Sequence, residues 1–154
     1  MPLRQQALFR VGCWLSIVTA VVHLTGALAG RPAPADVNEA QLFAVAGEYR
    51  LALPGAERSL FELFDGFSLA FAVLLATQGA VGLAVAKRGR RDGALLVAVA
   101  RAMALAGVAL LVISLTHWFL VPSLFIATMT SAFAFASVRP PAHELPDAGA
   151  PPSE

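Results

Sequence analysis

The fold of this chain is decided by residues 93–138, which read GALLVAVARAMALAGVALLVISLTHWFLVPSLFIATMTSAFAFASV. The only charged side chain in this stretch is Arg101. The runs 93–115 and 118–138 are each long enough to cross a hydrocarbon core of ~30 Å, which takes a helix of roughly 20 residues. Joined as one helix, they would extend ~66 Å, about twice that thickness. The stretch therefore predicts two membrane-spanning helices with a tight turn at residues 116–117.

Two further runs of this kind come earlier, at residues 11–29 and 66–86, and neither contains a charged side chain. Because lipid offers no water to backbone polar groups, such runs must be helices. The whole chain is 58% hydrophobic and only 14% charged, which is too apolar for a small soluble domain. The sequence predicts an all-α integral membrane protein, an up-down four-helix bundle in one domain of residues 1–139. The spans are expected near residues 9–29, 62–86, 93–115 and 119–138.

The basic residues are distributed unevenly between the two sides of this predicted bundle. Short basic loops stay in the cytoplasm, and the loop between the second and third spans holds four basic residues. The prediction is a multi-pass membrane protein with both termini in the cytoplasm. Seven basic residues then lie inside, namely Arg4, Arg10, Lys87, Arg88, Arg90, Arg91 and Arg139, and three lie outside, namely Arg31, Arg50 and Arg58.

The first span also has some features of a cleavable signal peptide. Two arginines precede the apolar run, and Ala27 and Ala29 form a small-x-small site after it. The run is longer than the ~7–15 apolar residues of a signal peptide, which favours a retained span. Cys13 is the single cysteine, so an internal disulfide or a CxxC redox pair is excluded, and its simplest role is that of a small apolar helix residue.

The segment between the first two spans, residues 30–58, is predicted to form an extracytoplasmic loop with a short amphipathic helix. Asp36 followed three residues later by Glu39 is a typical helix start, and Pro54-Gly55 would end the helix. This helix would lie on the outer membrane surface or cap the bundle, with a lid over a ligand as the alternative. Its predicted apolar face consists of Leu42, Val45, Ala46, Tyr49 and Leu53.

The start of the second span and the end of the chain carry local signals. Ser59 and Glu62 have the spacing of a capping box, so the second span should begin before it enters lipid. Residues 140–154 contain five prolines and no apolar periodicity, which predicts a disordered cytoplasmic tail.

Three ionisable residues, His23, Asp65 and His117, fall at the outer ends of three different predicted spans. If they converge, two imidazoles and a carboxylate could bind a divalent metal ion or accept a proton, and Glu62 lies nearby. The simpler interpretation makes Asp65 a helix-dipole residue and His117 a loop residue in water. Two histidines could also ligate one haem, but the sequence requires no cofactor and identifies no catalytic residue.

A second polar feature lies within the membrane, where Arg101 and Gln78 occur at comparable depth on neighbouring spans. An arginine side chain is long enough to reach the cytoplasmic headgroups from this depth. The alternative is a buried polar layer in which Gln78 and nearby threonines accept hydrogen bonds from the guanidinium group.

The assembled pattern resembles small bacterial four-span membrane proteins of the DoxX-like kind and neighbouring uncharacterised families. The resemblance covers most of residues 8–138 and rests on His23, the long outer loop, Arg58-Ser59 before the 63–69 segment LFDGFSL, the basic inner loop and the aromatic-Pro entry to the fourth span. It implies a four-helix bundle in the inner membrane and a role as an accessory subunit of a redox or transport system. The absence of paired cysteines counts against a thiol-redox role.

Several function classes are excluded by what the sequence lacks. It contains no phosphate-binding loop, no nucleophile elbow and no soluble basic surface for nucleic acid, so a soluble enzyme is excluded. Two hypotheses remain. The first is a non-catalytic bundle that acts through the lipid bilayer, a membrane protein partner or a second copy of itself. The second is a small redox, metal-binding or transport protein that uses the outer His/Asp cluster.

Overall fold

The computed structural model describes residues 3–88, 93–117 and 120–138, which form five helices and one β-hairpin. Four of the helices are long and apolar enough to cross a membrane, which confirms the predicted all-α bundle of four spans. The predicted tail 140–154 and the loop residues Arg90 and Arg91 lie outside the described residues. In chain order the elements are α1 (Leu3–Leu28), α2 (Val37–Glu48), β1 (Arg50–Leu53), β2 (Ala56–Ser59), α3 (Leu60–Arg88), α4 (Gly93–His117) and α5 (Leu120–Ser137).

The four spans lie side by side in the order α3, α1, α5, α4. Helix α1 packs along both α3 and α5, and α4 packs along α5, whereas the consecutive helices α3 and α4 meet only slightly. We call the end of the bundle that carries residues 30–59 the loop end, and the other end the far end. All four spans share a core at the far end, formed by Phe9, Cys13, Ala86, Leu96, Ala100, Met129, Phe133 and Ala136.

Glycines and small polar residues bring the spans close together, as is common where lipid provides no hydrophobic drive for helix association. At Gly12 of α1, an added Cβ would lie 2.7 Å from the ring of Phe133 on α5. Gly107 of α4 likewise faces the Thr130 side chain of α5. Buried hydroxyls add interhelical bonds, as Ser16 Oγ donates to Met129 Sδ at 3.0 Å.

Helix α2 begins where the sequence predicts but ends earlier. The Asp36 carboxylate accepts a hydrogen bond from the Glu39 amide at 2.8 Å, so Asp36 is the N-cap. The prediction that this helix continues to Leu53 is wrong, because β1 and β2 pair as an antiparallel hairpin with Pro54 and Gly55 as its two-residue turn. Gly55 has φ 82°, a left-handed conformation that only glycine adopts without strain.

The hairpin is tied to the start of α3 by a capping box, as the sequence predicts. Ser59 Oγ accepts from the Glu62 amide at 3.2 Å, and Glu62 Oε2 accepts from the Ser59 amide at 2.7 Å. Arg50 Nη1 donates to the same Glu62 oxygen at 2.6 Å. Helix α2 completes this unit because the Phe43 ring packs edge-on against Phe61, with ring centroids 5.7 Å apart. The extramembrane segment is therefore anchored on α3.

Candidate functional site around His23

A cavity of ≈ 450 Å³ opens between α1, α3 and α5 at the loop end of the bundle. It lies closer to the loop end than the shared core does. We call it the His23 cavity. Its wall is formed by Thr19, Val22, His23, Gly26, Ala27, Ser68, Phe71, Val121, Pro122, Phe125 and Ile126.

The local sequence explains why space remains at this position. Gly26 and Ala27 line the cavity on α1, and their side chains are too small to fill it. A Cβ added to Gly26 would meet no atom within 4 Å. On the opposite wall, Pro122 occupies the first turn of α5, where its missing N–H costs no helical hydrogen bond. The helices therefore enclose a space that their own side chains do not fill.

The His23 cavity is mostly apolar and has two polar groups available to a ligand. His23 is half-buried, and its ring packs edge-on against Phe71 with centroids 5.1 Å apart. Across the part of the chain that the structure describes, neither the His23 ring nor the Ser68 hydroxyl makes a hydrogen bond. Thr19 differs, since its hydroxyl donates to the Leu15 carbonyl at 2.7 Å. A neutral imidazole supplies one donor and one acceptor, and a hydroxyl supplies both.

The predicted cluster of His23, Asp65 and His117 is not assembled as a metal site. The Asp65 carboxylate pairs with Arg31 at 2.7 Å, and neither Asp65 nor His117 lines the His23 cavity. Among residues 3–88, 93–117 and 120–138, no group of three or more His, Cys, Asp or Glu side chains could hold a metal ion. Arg31, three residues after the end of α1, pairs with Asp65 while its guanidinium group stacks on Phe61, 3.7 Å from the ring centroid. The described residues therefore do not bring the three predicted ligands together.

The other two candidates have structural roles at helix ends. His117 is the last residue of α4 and is exposed, with Nδ1 2.6 Å from Thr116 Oγ1. A histidine at this position is favoured by the negative end of the helix dipole. Glu62 belongs to the capping box and to the ion pair with Arg50. Neither residue faces the His23 cavity.

The predicted polar layer of Arg101 and Gln78 does not form. Met103 of α4 faces Gly82 of α3, and Arg101, two residues earlier, lies ~200° away around the helix. Arg101 is exposed, and within the described residues no hydrogen bond or ion pair joins it to Gln78. Its position on the lipid-facing surface agrees with a side chain that extends towards the headgroups.

No protein-family model, curated protein or solved structure matches this chain. The resemblance to DoxX-like proteins stays a prediction.

Proposed function

We propose that this chain is a non-catalytic multi-pass protein of the bacterial inner membrane that acts by binding lipid. In this proposal the His23 cavity holds one acyl chain and the ester region of a phospholipid. The observation that carries the proposal is an open, mostly apolar cavity lined by the His23 imidazole and the Ser68 hydroxyl, neither of which is hydrogen-bonded within the described residues. The DoxX-like resemblance belongs to the same proposal, as a description of the architecture that carries this site.

The size and lining of the cavity suit such a ligand. Its volume of ≈ 450 Å³ lies within the ~300–1,000 Å³ typical of small-molecule sites, which are mainly apolar with a few placed polar groups. Val22 and Phe125 give an apolar contact surface, and the opening between the helices lets a chain enter sideways from the bilayer. A phospholipid would then exchange less freely than the lipids around it.

The depth of the polar groups supports an ester carbonyl as their partner. His23 is five residues before the end of α1, so it lies ~8 Å along the helix axis from that end. This is the boundary between the hydrocarbon core and the headgroup region, where lipid ester groups occur. An imidazole N–H or the Ser68 hydroxyl can donate to an ester carbonyl, which removes the cost of an unpaired polar group in lipid.

The proposed orientation places the loop end outside the cytoplasm, on the basis of the seven-to-three distribution of basic residues. The bound lipid would then come from the outer leaflet. Helix α2 supports a membrane-surface position for the loop, because Leu42, Val45 and Tyr49 are exposed by 63%, 60% and 60%. Such a face is suited to the boundary between headgroups and acyl chains.

The test is to measure how much lipid remains bound after exchange into mild detergent. We expect the unmodified protein to retain phospholipid, detected by native mass spectrometry and identified after extraction. The variant His23→Phe should retain about one phospholipid fewer per chain, the one held in the His23 cavity, because it removes the imidazole and places a larger ring there. The matched control is His117→Phe, which changes an exposed histidine outside the cavity and should retain the lipid. Equal lipid in the two variants, or none in the unmodified protein, would contradict the proposal.

A further inference from the structure

A second recess lies at the far end of the bundle, between α1 and α3. It has a volume of ≈ 590 Å³ and is lined by Arg10 and Trp14 of α1 and by Leu83 and Lys87 of α3. We call it the Arg10–Lys87 cleft. None of its residues contributes to the His23 cavity.

The two cations of this cleft are brought together by the packing of their helices. Arg10 follows Phe9, and Lys87 follows Ala86, and both of these neighbours are fully buried in the shared core. Gln6 Nε2 donates to the Ala86 carbonyl at 3.1 Å, which fixes α1 against α3 at this level. The packing of α1 against α3 therefore places the two positive charges on the same cleft.

The positive charges have no carboxylate partner in the part of the chain that the structure describes. All aspartates and glutamates of this part lie between Asp36 and Asp65, in the segment that leads into α3 or in its first turns. The two ion pairs found there, Arg31 with Asp65 and Arg50 with Glu62, belong to the loop end. An anionic lipid headgroup would supply a negative charge to Arg10 and Lys87.

The remaining two residues show where in the membrane this anion would lie. The Trp14 side chain is 57% exposed, and an exposed tryptophan favours the boundary between acyl chains and headgroups. Leu83 adds an apolar surface beside the charges. Arginine can bind a phosphate through two parallel N–H bonds, and lysine contributes a point charge. The cleft thus combines phosphate-binding groups with a surface for the upper acyl chain.

We propose that the Arg10–Lys87 cleft binds the phosphate of an anionic phospholipid in the leaflet at the far end. This site is separate from the His23 cavity and does not depend on the function proposed for it. Free inorganic phosphate has the same binding chemistry, but it makes no use of Trp14 and Leu83, so we assign the site to lipid.

The test uses Trp14 as a reporter. The chain has two tryptophans, so Trp118→Phe leaves Trp14 as the only one. The protein is placed in nanodiscs of phosphatidylcholine and phosphatidylglycerol, with brominated acyl chains on one lipid or on the other at equal total bromine. Bound phosphatidylglycerol should make quenching of Trp14 stronger when that lipid carries the bromine. Equal quenching by the two lipids would overturn the proposal.

Variants then separate a specific site from general charge attraction. In Arg10→Gln with Lys87→Gln, the preference for phosphatidylglycerol should vanish and the quenching ratio should fall to one. The control is Arg88→Gln, which removes an exposed charge at the same end that does not line the cleft, and it should keep the preference. Loss of the preference in Arg88→Gln to the same extent would show general attraction and overturn the site.

A final measurement identifies the source of the phosphate. Thermal stability is compared in phosphatidylcholine nanodiscs with added inorganic phosphate and in nanodiscs that contain phosphatidylglycerol. Phosphatidylglycerol should raise the melting temperature of the unmodified protein, and the rise should be absent in the double variant. An equal rise with inorganic phosphate would make free phosphate the ligand and overturn the assignment to lipid.

Discussion

Gly79 of α3 lies directly against the backbone of α1 at Cys13. A Cβ at Gly79 would be 2.6 Å from the Cys13 carbonyl oxygen, a distance that no real side chain tolerates, and Gly82 meets the Cys13 side chain one turn later. Close packing of this kind is a principal source of helix association in lipid. The α1–α3 pair carries walls of both the His23 cavity and the Arg10–Lys87 cleft, so this contact positions both.

Replacing Gly79 with alanine should therefore destabilise the protein. The clash is with backbone, which cannot move aside as a flexible side chain can, so we expect a loss of about 1–3 kcal/mol in the free energy of unfolding. The measurement is denaturant or thermal unfolding in detergent. The control is Gly66→Ala, at a helical glycine whose added Cβ meets no atom within 4 Å, and it should be neutral or slightly stabilising. Equal effects of the two substitutions would show that the close contact is unimportant.

Loss of the capping box should loosen the junction between the hairpin and α3. Ser59→Ala removes the acceptor for the Glu62 amide, which should cost about 1 kcal/mol and speed hydrogen exchange at that amide. Hydrogen exchange of residues 56–63, followed by mass spectrometry, measures this directly. Ser137→Ala is the comparison, because its hydroxyl only donates back to Ala134 in the exposed last turn of α5. Unchanged exchange in Ser59→Ala would argue against the cap.

The contribution of Arg31 should exceed that of its ion pair with Asp65. The two side chains are 36% and 53% exposed, and a pair this exposed contributes only ~0–1 kcal/mol. Arg31 also stacks on Phe61, which adds a cation–π contact. Arg31→Ala should consequently lower the melting temperature more than Asp65→Asn, and added salt should weaken only the ion-pair part. A larger effect of Asp65→Asn would reverse this ranking.

The orientation in the membrane is open to a direct test with reporter fusions. Fusions after Gly89 and after Arg139 should both report a cytoplasmic location, and a fusion after Asn38 should report an extracytoplasmic one. These expectations follow from the positive-inside distribution. An extracytoplasmic signal after Gly89 would invert the orientation and move the His23 cavity to the cytoplasmic leaflet.

The architecture was predictable from sequence because lipid leaves the backbone few choices. A long uncharged run must be helical, so the four spans follow from run length alone. The hairpin after α2 was not predictable in the same way. Leu53 continues the helical spacing of Leu42 and Val45, and only pairing with Ala56 across the turn shows that it belongs to a strand. The Pro54-Gly55 pair was the available signal for this turn.

The sequence indicated at which end of the bundle the candidate site lies, but not which residues line it. His23 was predicted as a candidate for a polar pocket at the outer end of its span, and it lines a cavity at the loop end. Its neighbours Ser68, Phe71 and Phe125 were missed, because a single sequence does not show which helix faces meet. The same limit applies to Asp65, whose partner is Arg31 of the loop and not an imidazole. Which side of a helix faces its neighbours depends on packing between helices. Each span here is apolar on nearly every side, so its sequence does not mark the side that faces the other helices.

The most direct test of the central claim is to fill the His23 cavity without disturbing its walls. Gly26→Leu places a side chain in open space, and Gly66→Leu makes the same change at an open position on α3 that does not line the cavity. Both variants should fold with melting temperatures close to that of the unmodified protein. After detergent exchange, native mass spectrometry should find about one phospholipid more per chain on Gly66→Leu and on the unmodified protein than on Gly26→Leu. Equal lipid retention by Gly26→Leu and Gly66→Leu would contradict lipid binding in the His23 cavity.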